Sequence, residues 1–419
     1  MVKLPKWPNP NNFHHINLGL ERIKELLNRL DNPQLKLPPT IHIAGTNGKG
    51  STLAFLKSIY EQAGYKVHRY TSPHLIEFNE RIELSGTKIS DDLLQSYLNR
   101  CQEACLRNPE IDITFFEATT ACAFLAFSEN PADILLLETG MGGEFDATNV
   151  LNNVFQSIIT PISFDHQQFL GDSLDKIAEA KAGIIKKNCL TICANQELLV
   201  FDVISKKAQE LNSKLVLTKD FFAQTNIDLD SIKISLLGSH QIENAKTAIC
   251  SVKNQTDFKI SDQNIKDGLE NTNWKARLEK INSGNLIKKL SKNFQVYLDG
   301  SHNVQGATTI AEFLENFQNH QKILIFQMLN DKNCEEFLKI IGSKINLLLI
   351  PEIAKDSRFR KAKNILKIAK DLKINAQTTE NFTKTFSAIE VNFKNQKTVI
   401  LICGSLYFAS EFLIANQQN

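Results

Sequence analysis

The chain has 419 residues, with 48 Lys and Arg against 46 Asp and Glu, so its formal net charge is only +2. Because no large basic excess is available for phosphates, this balance excludes a protein whose main partner is a nucleic-acid backbone. Apolar residues make up 42% and charged residues 22%, enough apolar side chains for the cores of two or three domains. No apolar run reaches the ~20 residues of a membrane-spanning helix, so we expect no membrane partner.

The N-terminal stretch and the cysteines both bear on location. Residues 1–10 contain three prolines and two lysines and no apolar run, so we expect no secretory signal there. The eight cysteines are spread along the chain without a C-x-x-C pair, which favours reduced, buried thiols over zinc ligands or disulfides. We therefore predict a cytoplasmic protein.

Strand-like apolar runs alternate with helical patterns through the first part of the chain. The predicted strands are Thr40–Ala44, Lys66–Tyr70, Asp133–Glu138 and Phe155–Thr160. The predicted helices are Lys49–Ala63, Asp91–Leu106, Glu117–Phe127 and Leu174–Ile185. Continuous apolar runs such as 134–137 are typical of strands that are buried on both faces. The alternation predicts an α/β fold with a mainly parallel, doubly wound sheet.

This pattern is interrupted at about 279–293, a stretch rich in Lys, Asn and Ser that indicates a linker. A second series follows, with strands predicted at Gln295–Leu298, Lys322–Met328, Asn346–Ile350 and Thr398–Cys403. Its predicted helices are Val304–Phe317, Cys334–Ile341, Lys361–Asp371 and Phe382–Phe393. We predict a first domain over 1–280, a linker over 281–293 and a smaller Rossmann-like α/β domain over 294–419.

The segment 45–52, Gly-Thr-Asn-Gly-Lys-Gly-Ser-Thr, follows the first predicted strand and begins a helix. Glycines let backbone N–H groups approach phosphate oxygens, and the helix N-terminus adds its dipole. Lys49 would neutralise phosphate charge, and a following hydroxyl would bind Mg²⁺. The match to G-x-x-x-x-G-K-[ST] is imperfect, because Ile43 replaces the first glycine and Gly50 follows the lysine. The alternative is a ligand-free turn, but the order of strand, loop and helix favours a P-loop-type ATPase domain.

Other polar residues follow predicted strands, where open α/β sheets bind their ligands. Ser72 taken alone is more simply a turn residue. Glu138 ends the most apolar strand, where a carboxylate is costly unless it is paired or metal-bound, and His166 follows the next strand. Taken together, the carboxylate and the histidine favour a metal site. The helical pattern around Lys181 by itself indicates a surface lysine.

Two turns of the second domain also place polar residues directly after a predicted strand. Residues 299–303, Asp-Gly-Ser-His-Asn, and residues 403–407, Cys-Gly-Ser-Leu-Tyr, each follow a strand and precede a helix. Taken singly, each is either a plain βα turn or part of a site.

These segments together resemble the folylpolyglutamate synthase family, which includes bifunctional dihydrofolate synthases and is related to the Mur ligases. The resemblance runs from about residue 16 to residue 407. The motifs that carry it are 45–51, 71–75, 142–143 with 146–149, 165–166, 181–184, 240–241 with 244–245, 277–279, 299–303 and 404–407. Gly50 distinguishes the loop from that of the Mur ligases, in which hydroxyl residues directly follow the lysine.

The resemblance implies an ATP-dependent amide ligase. ATP would phosphorylate a folate-type carboxylate, and the amine of L-glutamate would displace phosphate from the acyl phosphate. The implied substrates are dihydropteroate, tetrahydrofolate and L-glutamate. The implied cofactors are ATP and two Mg²⁺ ions, with K⁺ as a further candidate, and the expected state is a monomer.

The resemblance also implies a role for individual residues. The implied catalytic residues are Lys49, Lys181, His166 and His302. The implied ATP contacts are Asn47, Gly48, Lys49, Gly50, Ser51, Thr52, Asn244, Arg277 and Asp299. The implied metal ligands are Ser51, Ser72, Glu138, His166 and Lys181, with Lys181 carbamylated. The implied pteroate or folate contacts are Ile16, Leu18, Arg81, Thr114, Phe116 and Asp146. The implied glutamate contacts are His302 and Ser405.

Two positions depart from the family pattern, since Glu144 replaces an arginine and Ala180 a glutamate. Neither change removes a phosphate or metal ligand, so an active enzyme is expected. Two other functions stay open on the sequence: a Mur-type peptide ligase of cell-wall synthesis, and a nucleotide-binding module without catalysis.

Overall fold

The computed structural model describes residues 7–8, 18–225, 227, 229, 232–353 and 356–417. Contacts divide the chain into two compact units. The first comprises Met1–Ser235 and Gln241–Asn273, and the second comprises Leu236–His240 and Trp274–Asn419. Among the residues described, none of the helices combines the length and the apolarity that crossing a membrane requires.

The first unit is built on an eight-stranded sheet. Its strands are β1 Thr40–Ala44, β2 Val67–Tyr70, β3 Ile82–Leu84, β4 Thr87–Lys88, β5 Ile134–Glu138, β6 Gln156–Ile159, β7 Leu190–Cys193 and β8 Lys214–Leu217. Its helices are α1 Glu21–Arg29, α2 Lys49–Gln62, α3 Asp91–Leu106, α4 Phe115–Glu129, α5 Gln167–Leu170, α6 Leu174–Ala182, α7 Leu198–Glu210, α8 Thr218–Ala223, α9 Ser239–Lys253 and α10 Asp262–Asn271.

The strand order is β4-β3-β2-β5-β1-β6-β7-β8. Pairing is parallel from β2 across to β8, and β3 and β4 add an antiparallel edge. The prediction of a mainly parallel, doubly wound α/β sheet is therefore confirmed. β1 and β5 are buried along their whole length, as their continuous apolar sequences predict. Their register pairs Ile43 with Glu138, so the end of β5 lies beside the end of β1, where the glycine-rich loop begins.

The second unit contains a six-stranded sheet. Its strands are β9 Glu279–Lys280, β10 Phe294–Leu298, β11 Gln321–Phe326, β12 Leu347–Pro351, β13 Ala376–Thr379 and β14 Thr398–Cys403. Its further helices are α11 Val304–Glu315, α12 Cys334–Ile341, α13 Ala362–Asp371, α14 Phe382–Phe393 and α15 Leu406–Gln417. The order is β13-β12-β11-β14-β10-β9, and only the edge strand β9 pairs antiparallel. This is the smaller α/β domain predicted from the sequence.

The boundary expected at residue 280 lies within this second unit, because β9 pairs with β10. The stretch expected to be a linker, 281–293, belongs to the same unit. There the Asn416 side chain accepts a hydrogen bond from Leu286 N at 3.0 Å and donates one to Ser283 O at 2.9 Å. The family resemblance assigns ATP binding, in a Mur-ligase central-type domain, to residues 1–280 and glutamate ligation to residues 294–419, and this assignment remains a prediction.

Candidate active site

The glycine-rich loop joins β1 to α2 in a conformation that only glycine fits. Gly45 has a φ of 152° and Gly48 a φ of 87°. A Cβ atom at Gly45 would lie 1.9 Å from Thr160 Oγ1, and one at Gly48 would lie 2.3 Å from Asn244 Oδ1. The backbone of the loop is therefore held directly against α9 and the residue that follows β6, and the structure brings the predicted ATP contacts Gly48 and Asn244 together.

The start of α2 offers hydrogen-bond donors to an anion. The first N–H groups of a helix have no acceptor within the helix, and Gly48 at the N-cap has no side chain to satisfy them. Just before the helix, the N–H groups of Thr46 and Asn47 donate to Pro161 O at 3.0 and 3.2 Å. The donors available to a phosphate are therefore those of the first helical turn. The side chains of Ser51 and Thr52 are buried in the same turn.

Two lysine side chains meet at this loop. Lys49 Nζ donates to Gly45 O at 3.1 Å and to Thr46 O at 3.2 Å, and Lys181 Nζ donates to Gly45 O at 2.8 Å. Lys181 is only 4% exposed. Burial, and secondly the charge of Lys49, lower the pKa of Lys181 from 10.5 to about 7, against smaller opposing effects of Asp165 and Asp146. Two ammonium groups that share one carbonyl oxygen form a strongly anion-binding position.

Lys181 is not the surface lysine that its helical pattern alone indicates, because the loop after β5 covers the end of α6. Glu144 N donates to Ala180 O at 2.7 Å, and a Cβ atom at Gly143 would lie 2.8 Å from Lys181 O. Gly183 in turn contacts Glu144, since its Cβ atom would lie 2.4 Å from Glu144 Cβ. Small residues on both sides bring the two segments into contact.

Two of the predicted metal ligands lie at the ends of neighbouring strands, Ser72 just after β2 and Glu138 at the end of β5. Glu138 ends β5, is 5% exposed, and its Oε2 accepts a hydrogen bond from Ser72 N at 3.3 Å. His166 has a φ of 52° and caps the short helix α5, and its Nε2 lies 3.7 Å from Asp165 Oδ2. The register of β1 and β5 places Glu138 beside the strand that leads into the phosphate loop.

This donor set fits a magnesium ion that is bound together with a nucleotide. Within the described parts of the chain, His, Cys, Asp and Glu side chains form no group of three or more that could hold a metal. The predicted set instead combines the buried Glu138 carboxylate with hydroxyls and a histidine, and Lys181 joins it only when it carries a carbamate. Mg²⁺ characteristically takes one or two carboxylates and completes its shell with phosphate oxygens and water. The protein residues therefore supply the part of the shell that such an ion requires.

Asp146 is the most constrained of the predicted pteroate contacts. It is 4% exposed, and burial raises the pKa of its carboxyl against the effect of its hydrogen bonds. Oδ2 accepts from Met141 N at 2.8 Å, and Oδ1 accepts from Thr148 N at 3.0 Å and from Thr148 Oγ1 at 2.5 Å. Its orientation is therefore fixed by the turn that contains it.

Arg81 is a buried cation among aromatic rings. It is 2% exposed, and its Nε donates to His74 Nδ1 at 2.9 Å. Its guanidinium carbon lies 5.5 Å from the ring centroid of Phe78 and 5.9 Å from that of Phe115. A flat cation held against aromatic faces suits recognition of a planar or anionic group.

The remaining pteroate residues differ in their local roles. Thr114 caps α4, because its hydroxyl donates to Glu117 Oε2 at 2.7 Å and accepts from Glu117 N at 3.3 Å. Phe116 lies on Gly140, where a Cβ atom would be 2.4 Å from its ring. Leu18 is 40% exposed. Ile16 lies outside the described residues.

In the second unit, Asp299 organises a strained turn around Arg277. Its Oδ2 accepts from Leu278 N at 2.8 Å, and its Oδ1 accepts from Ser301 N at 2.7 Å. Ala276 and Leu278 have φ values of 55° and 49°, a conformation that is costly for residues other than glycine. Such strain on both sides of one arginine is characteristic of a functional position.

The two predicted glutamate contacts follow β10 and β14. His302 Nδ1 lies 2.9 Å from Gly300 O, so Nδ1 is the donor in this bond. Ser405 Oγ accepts from Phe408 N at 2.9 Å at the start of α15. Arg358 packs on the neighbouring Tyr407, with its guanidinium carbon 4.2 Å from the ring centroid. Tyr407 lies in the recognised motif 404–407, but no motif marks Arg358.

Comparisons with known proteins agree with this geometry. Two family models match the chain: the Mur ligase middle domain over residues 43–252 and the dihydrofolate synthetase C-terminal domain over residues 282–415. The dihydrofolate synthase/folylpolyglutamate synthase of Bacillus subtilis is 33% identical over 422 residues, covering 94% of each chain. This chain belongs to the dihydrofolate synthase/folylpolyglutamate synthase family. The predicted class, an ATP-dependent ligase that forms a C–N bond, is thereby confirmed.

Solved structures extend the similarity over the whole fold of this family. The structure of Escherichia coli FolC in complex with DHPP and ADP matches with a TM-score of 0.84 at 25% identity, covering 97% of this chain and 95% of that chain. A bifunctional folylpolyglutamate synthase/dihydrofolate synthase with Mn, AMPPNP and L-glutamate bound shares the fold, with a TM-score of 0.83 at 24% identity, covering 96% and 95%. The prediction that the enzyme uses ATP is confirmed at the level of the family, and Mg²⁺ and K⁺ stay predictions.

Proposed function

We propose that this ligase adds L-glutamate to dihydropteroate and to tetrahydrofolate. The γ-phosphoryl group of ATP passes to the substrate carboxylate, which gives an acyl phosphate and ADP. The amine of glutamate then attacks the acyl carbon, and phosphate leaves as the amide forms. The observation that carries this proposal is the glycine-rich loop, where Gly48 is packed against Asn244 and Lys49 Nζ lies over the loop carbonyls at the start of α2.

The phosphate loop contributes binding and charge neutralisation. A polyanion at the start of α2 gains hydrogen bonds from backbone amides and a favourable interaction with the helix dipole. The residues proposed to contact it there are Asn47, Gly48, Gly50, Ser51 and Thr52. Lys49 would leave Gly45 O and Thr46 O for the phosphates, because a charge-assisted bond is stronger than one to a neutral carbonyl. Asn244 is already held against the loop. The proposed nucleotide contacts of the second unit are Arg277 and Asp299.

The proposed metal ligands are Ser51, Ser72, Glu138, His166 and Lys181. A magnesium ion at these residues supplies Lewis-acid stabilisation of charge on the transferring phosphoryl group. Glu138 is positioned for this role by the Ser72 amide, which fixes one carboxylate oxygen. His166, in its left-handed conformation next to Asp165, adds an imidazole at the start of α5, in the segment that follows β6.

Lys181 is proposed to carry a carbamate. The amine must be neutral to attack CO₂, and burial with Lys49 nearby brings the pKa of Lys181 to about 7. At neutral pH a large fraction is therefore nucleophilic, unlike an exposed lysine. The neutral amine adds to CO₂ through its lone pair and loses one proton to solvent, and the resulting carbamate anion beside Lys49 removes the repulsion between the two lysines and would supply oxygen ligands to a metal.

The two organic substrates are assigned to different residues. We place the pteroate or folate ring at Ile16, Leu18, Arg81, Thr114, Phe116 and Asp146, and the incoming glutamate at His302 and Ser405. Asp146 and Arg81 supply a carboxylate and a cation, and Phe116 supplies an apolar face. His302, with Nδ1 engaged by a carbonyl, has Nε2 as its acceptor nitrogen in the neutral form, which suits contact with the attacking amine.

The cell compartment and oligomeric state are also part of the proposal. All eight cysteines are buried, unpaired thiols, which supports a reducing compartment and hence the cytoplasm. We further propose that the enzyme acts as a monomer.

An ATP-hydrolysis assay tests the function. Dihydropteroate and tetrahydrofolate are offered separately, each with and without L-glutamate, and a UDP-linked sugar peptide tests Mur-type activity. The proposal predicts ADP release that requires glutamate together with either pteroate substrate. ADP release with the sugar peptide alone, or nucleotide binding without turnover under every condition, would contradict it.

A further inference from the structure

A histidine is buried in the centre of β1 without any role in binding phosphate. His42 is fully buried between Ile41 and Ile43, and its neighbours across the sheet are Leu137 and Ser157. Placing an imidazole in such surroundings is unfavourable unless it makes a specific hydrogen bond. The side chain that it contacts is remote in sequence: His42 Nε2 lies 2.8 Å from Thr148 Oγ1.

The contact continues to Asp146. Thr148 Oγ1 donates to Asp146 Oδ1 at 2.5 Å. A threonine hydroxyl carries one hydrogen, so toward His42 this oxygen can only accept. His42 must therefore carry its proton on Nε2. Consistent with that tautomer, Nδ1 of His42 is buried without a hydrogen-bond partner among the described residues, as suits a lone pair better than an N–H group.

The burial of His42 keeps its ring neutral, which fixes the direction of the hydrogen bonds from His42 through Thr148 to Asp146. Burial, and secondly Lys186, lower the pKa of His42 to about 3, so the ring is neutral near pH 7. The carboxylate at the other end also accepts from Met141 N and Thr148 N. The Thr148 hydroxyl adds a side-chain donor to these backbone donors, and it acts on Oδ1 of the Asp146 carboxylate.

We propose that His42 and Thr148 are positioning residues for the pteroate substrate, acting through the orientation of the Asp146 carboxylate. This inference rests on the proposed role of Asp146 as a pteroate contact. His42 donates to Thr148, Thr148 donates to Asp146, and Asp146 is held in the rotamer that meets the substrate. Neither residue touches substrate or nucleotide, so their loss acts on substrate affinity and leaves ATP binding intact.

Matched variants test the chain of bonds. Thr148→Val removes the hydroxyl at nearly constant volume, and Thr148→Ser keeps it. His42→Leu removes the donor, and His42→Gln places an amide N–H near the position of Nε2. We expect Thr148→Val to raise the KM for dihydropteroate about tenfold and His42→Leu about fivefold, the usual effect of one hydrogen bond. Thr148→Ser and His42→Gln are expected to stay within about twofold of the wild type, and the KM for ATP to stay unchanged in all four.

The double variant separates this proposal from a general loss of packing. If His42 acts only through Thr148, His42→Leu has no further effect on the KM for dihydropteroate in a Thr148→Val background. Additive effects would overturn the proposal, and so would a parallel rise of both KM values. Melting temperatures of all variants identify any that fail to fold.

Two further measurements distinguish failure of this inference from failure of the proposed function. Asp146→Asn is expected to raise the KM for dihydropteroate, and an unchanged KM would reject the proposed role of Asp146 and with it the effect on substrate. Independently of activity, ¹⁵N NMR of histidine-labelled enzyme is expected to show His42 as the Nε2–H tautomer, assigned by the signal that His42→Gln removes. A proton on Nδ1 would contradict the proposed direction of the hydrogen bonds from His42 to Thr148 to Asp146, whatever the substrate is.

Discussion

Replacing Lys181 by methionine is expected to stabilise the ligand-free protein while abolishing turnover. The side chain keeps its length but loses a charge that is buried and lies near Lys49. An unfolded chain holds its lysine proton up to the ordinary pKa of 10.5, whereas folding lowers the pKa to about 7. Between these values the unfolded state binds more protons, so the stability of the wild type rises with pH.

The size of the effect follows from the pKa change. At about 1.4 kcal/mol per pKa unit, the lysine destabilises the folded state by about 5 kcal/mol at pH 6 and by about 2 kcal/mol at pH 9. Methionine removes this contribution at every pH and adds a packing contribution that does not depend on pH. The difference in unfolding free energy between variant and wild type should therefore shrink by about 3 kcal/mol from pH 6 to pH 9.

Urea denaturation in CO₂-depleted buffer at several pH values measures this difference. The matched control is Lys176→Met in the same helix, because Lys176 is exposed and pairs with Asp172 at the surface, so its substitution should leave the pH dependence of the unfolding free energy unchanged from pH 6 to pH 9. Added bicarbonate at pH 8 should stabilise the wild type but not Lys181→Met. If the difference in unfolding free energy between Lys181→Met and the wild type does not change with pH, Lys181 is not a buried charge. Full activity of Lys181→Met would contradict the proposed carbamate.

Three further predictions concern the loop and the capped helix. Lys49→Ala should lower ADP formation by at least about 100-fold with little change in melting temperature, and normal ADP formation would refute the loop assignment. Gly48→Ala places a methyl group 2.3 Å from Asn244 Oδ1 at a φ of 87°, so we expect a KM for ATP raised by at least about tenfold, and an unchanged KM would show that the loop can shift. Thr114→Ala should lower the unfolding free energy by about 1 kcal/mol through loss of the α4 cap, and Thr114→Ser should restore it. If Thr114→Ser restores stability but not the KM for dihydropteroate, the threonine methyl group contacts the substrate.

The parts of the fold that the sequence predicted are those with strong local patterns. The strand Thr40–Ala44 and the helix that begins at Lys49 are found as predicted, because a buried apolar run, glycines and a helix start follow one another directly. The helix predicted at Glu117–Phe127 extends over Phe115–Glu129, since the capping threonine lies just before Phe115. The strand Thr87–Lys88 is exposed and two residues long, so only its pairing with Ile82–Leu84 defines it.

The site was predictable where motifs mark it and not where folding alone assembles it. The loop, Glu138 and Asp299 follow strands, which places them at ligand-binding edges in any open α/β sheet. Lys181 is buried because two segments that are distant in sequence pack together: Gly143 contacts Lys181, and Gly183 contacts Glu144. No local sequence pattern predicts this contact. His42 lies in an apolar strand and would be interpreted as a core residue.

The central claim is that the triphosphate of ATP binds at the start of α2 beside Lys49, next to Lys181 and Glu138. A crystal structure of the enzyme with a non-hydrolysable ATP analogue and Mg²⁺ tests it most directly. The account predicts phosphate oxygens on the first-turn amides of α2 and on Lys49 Nζ, with the metal on Glu138. A well-ordered triphosphate at any other place in the molecule would contradict it.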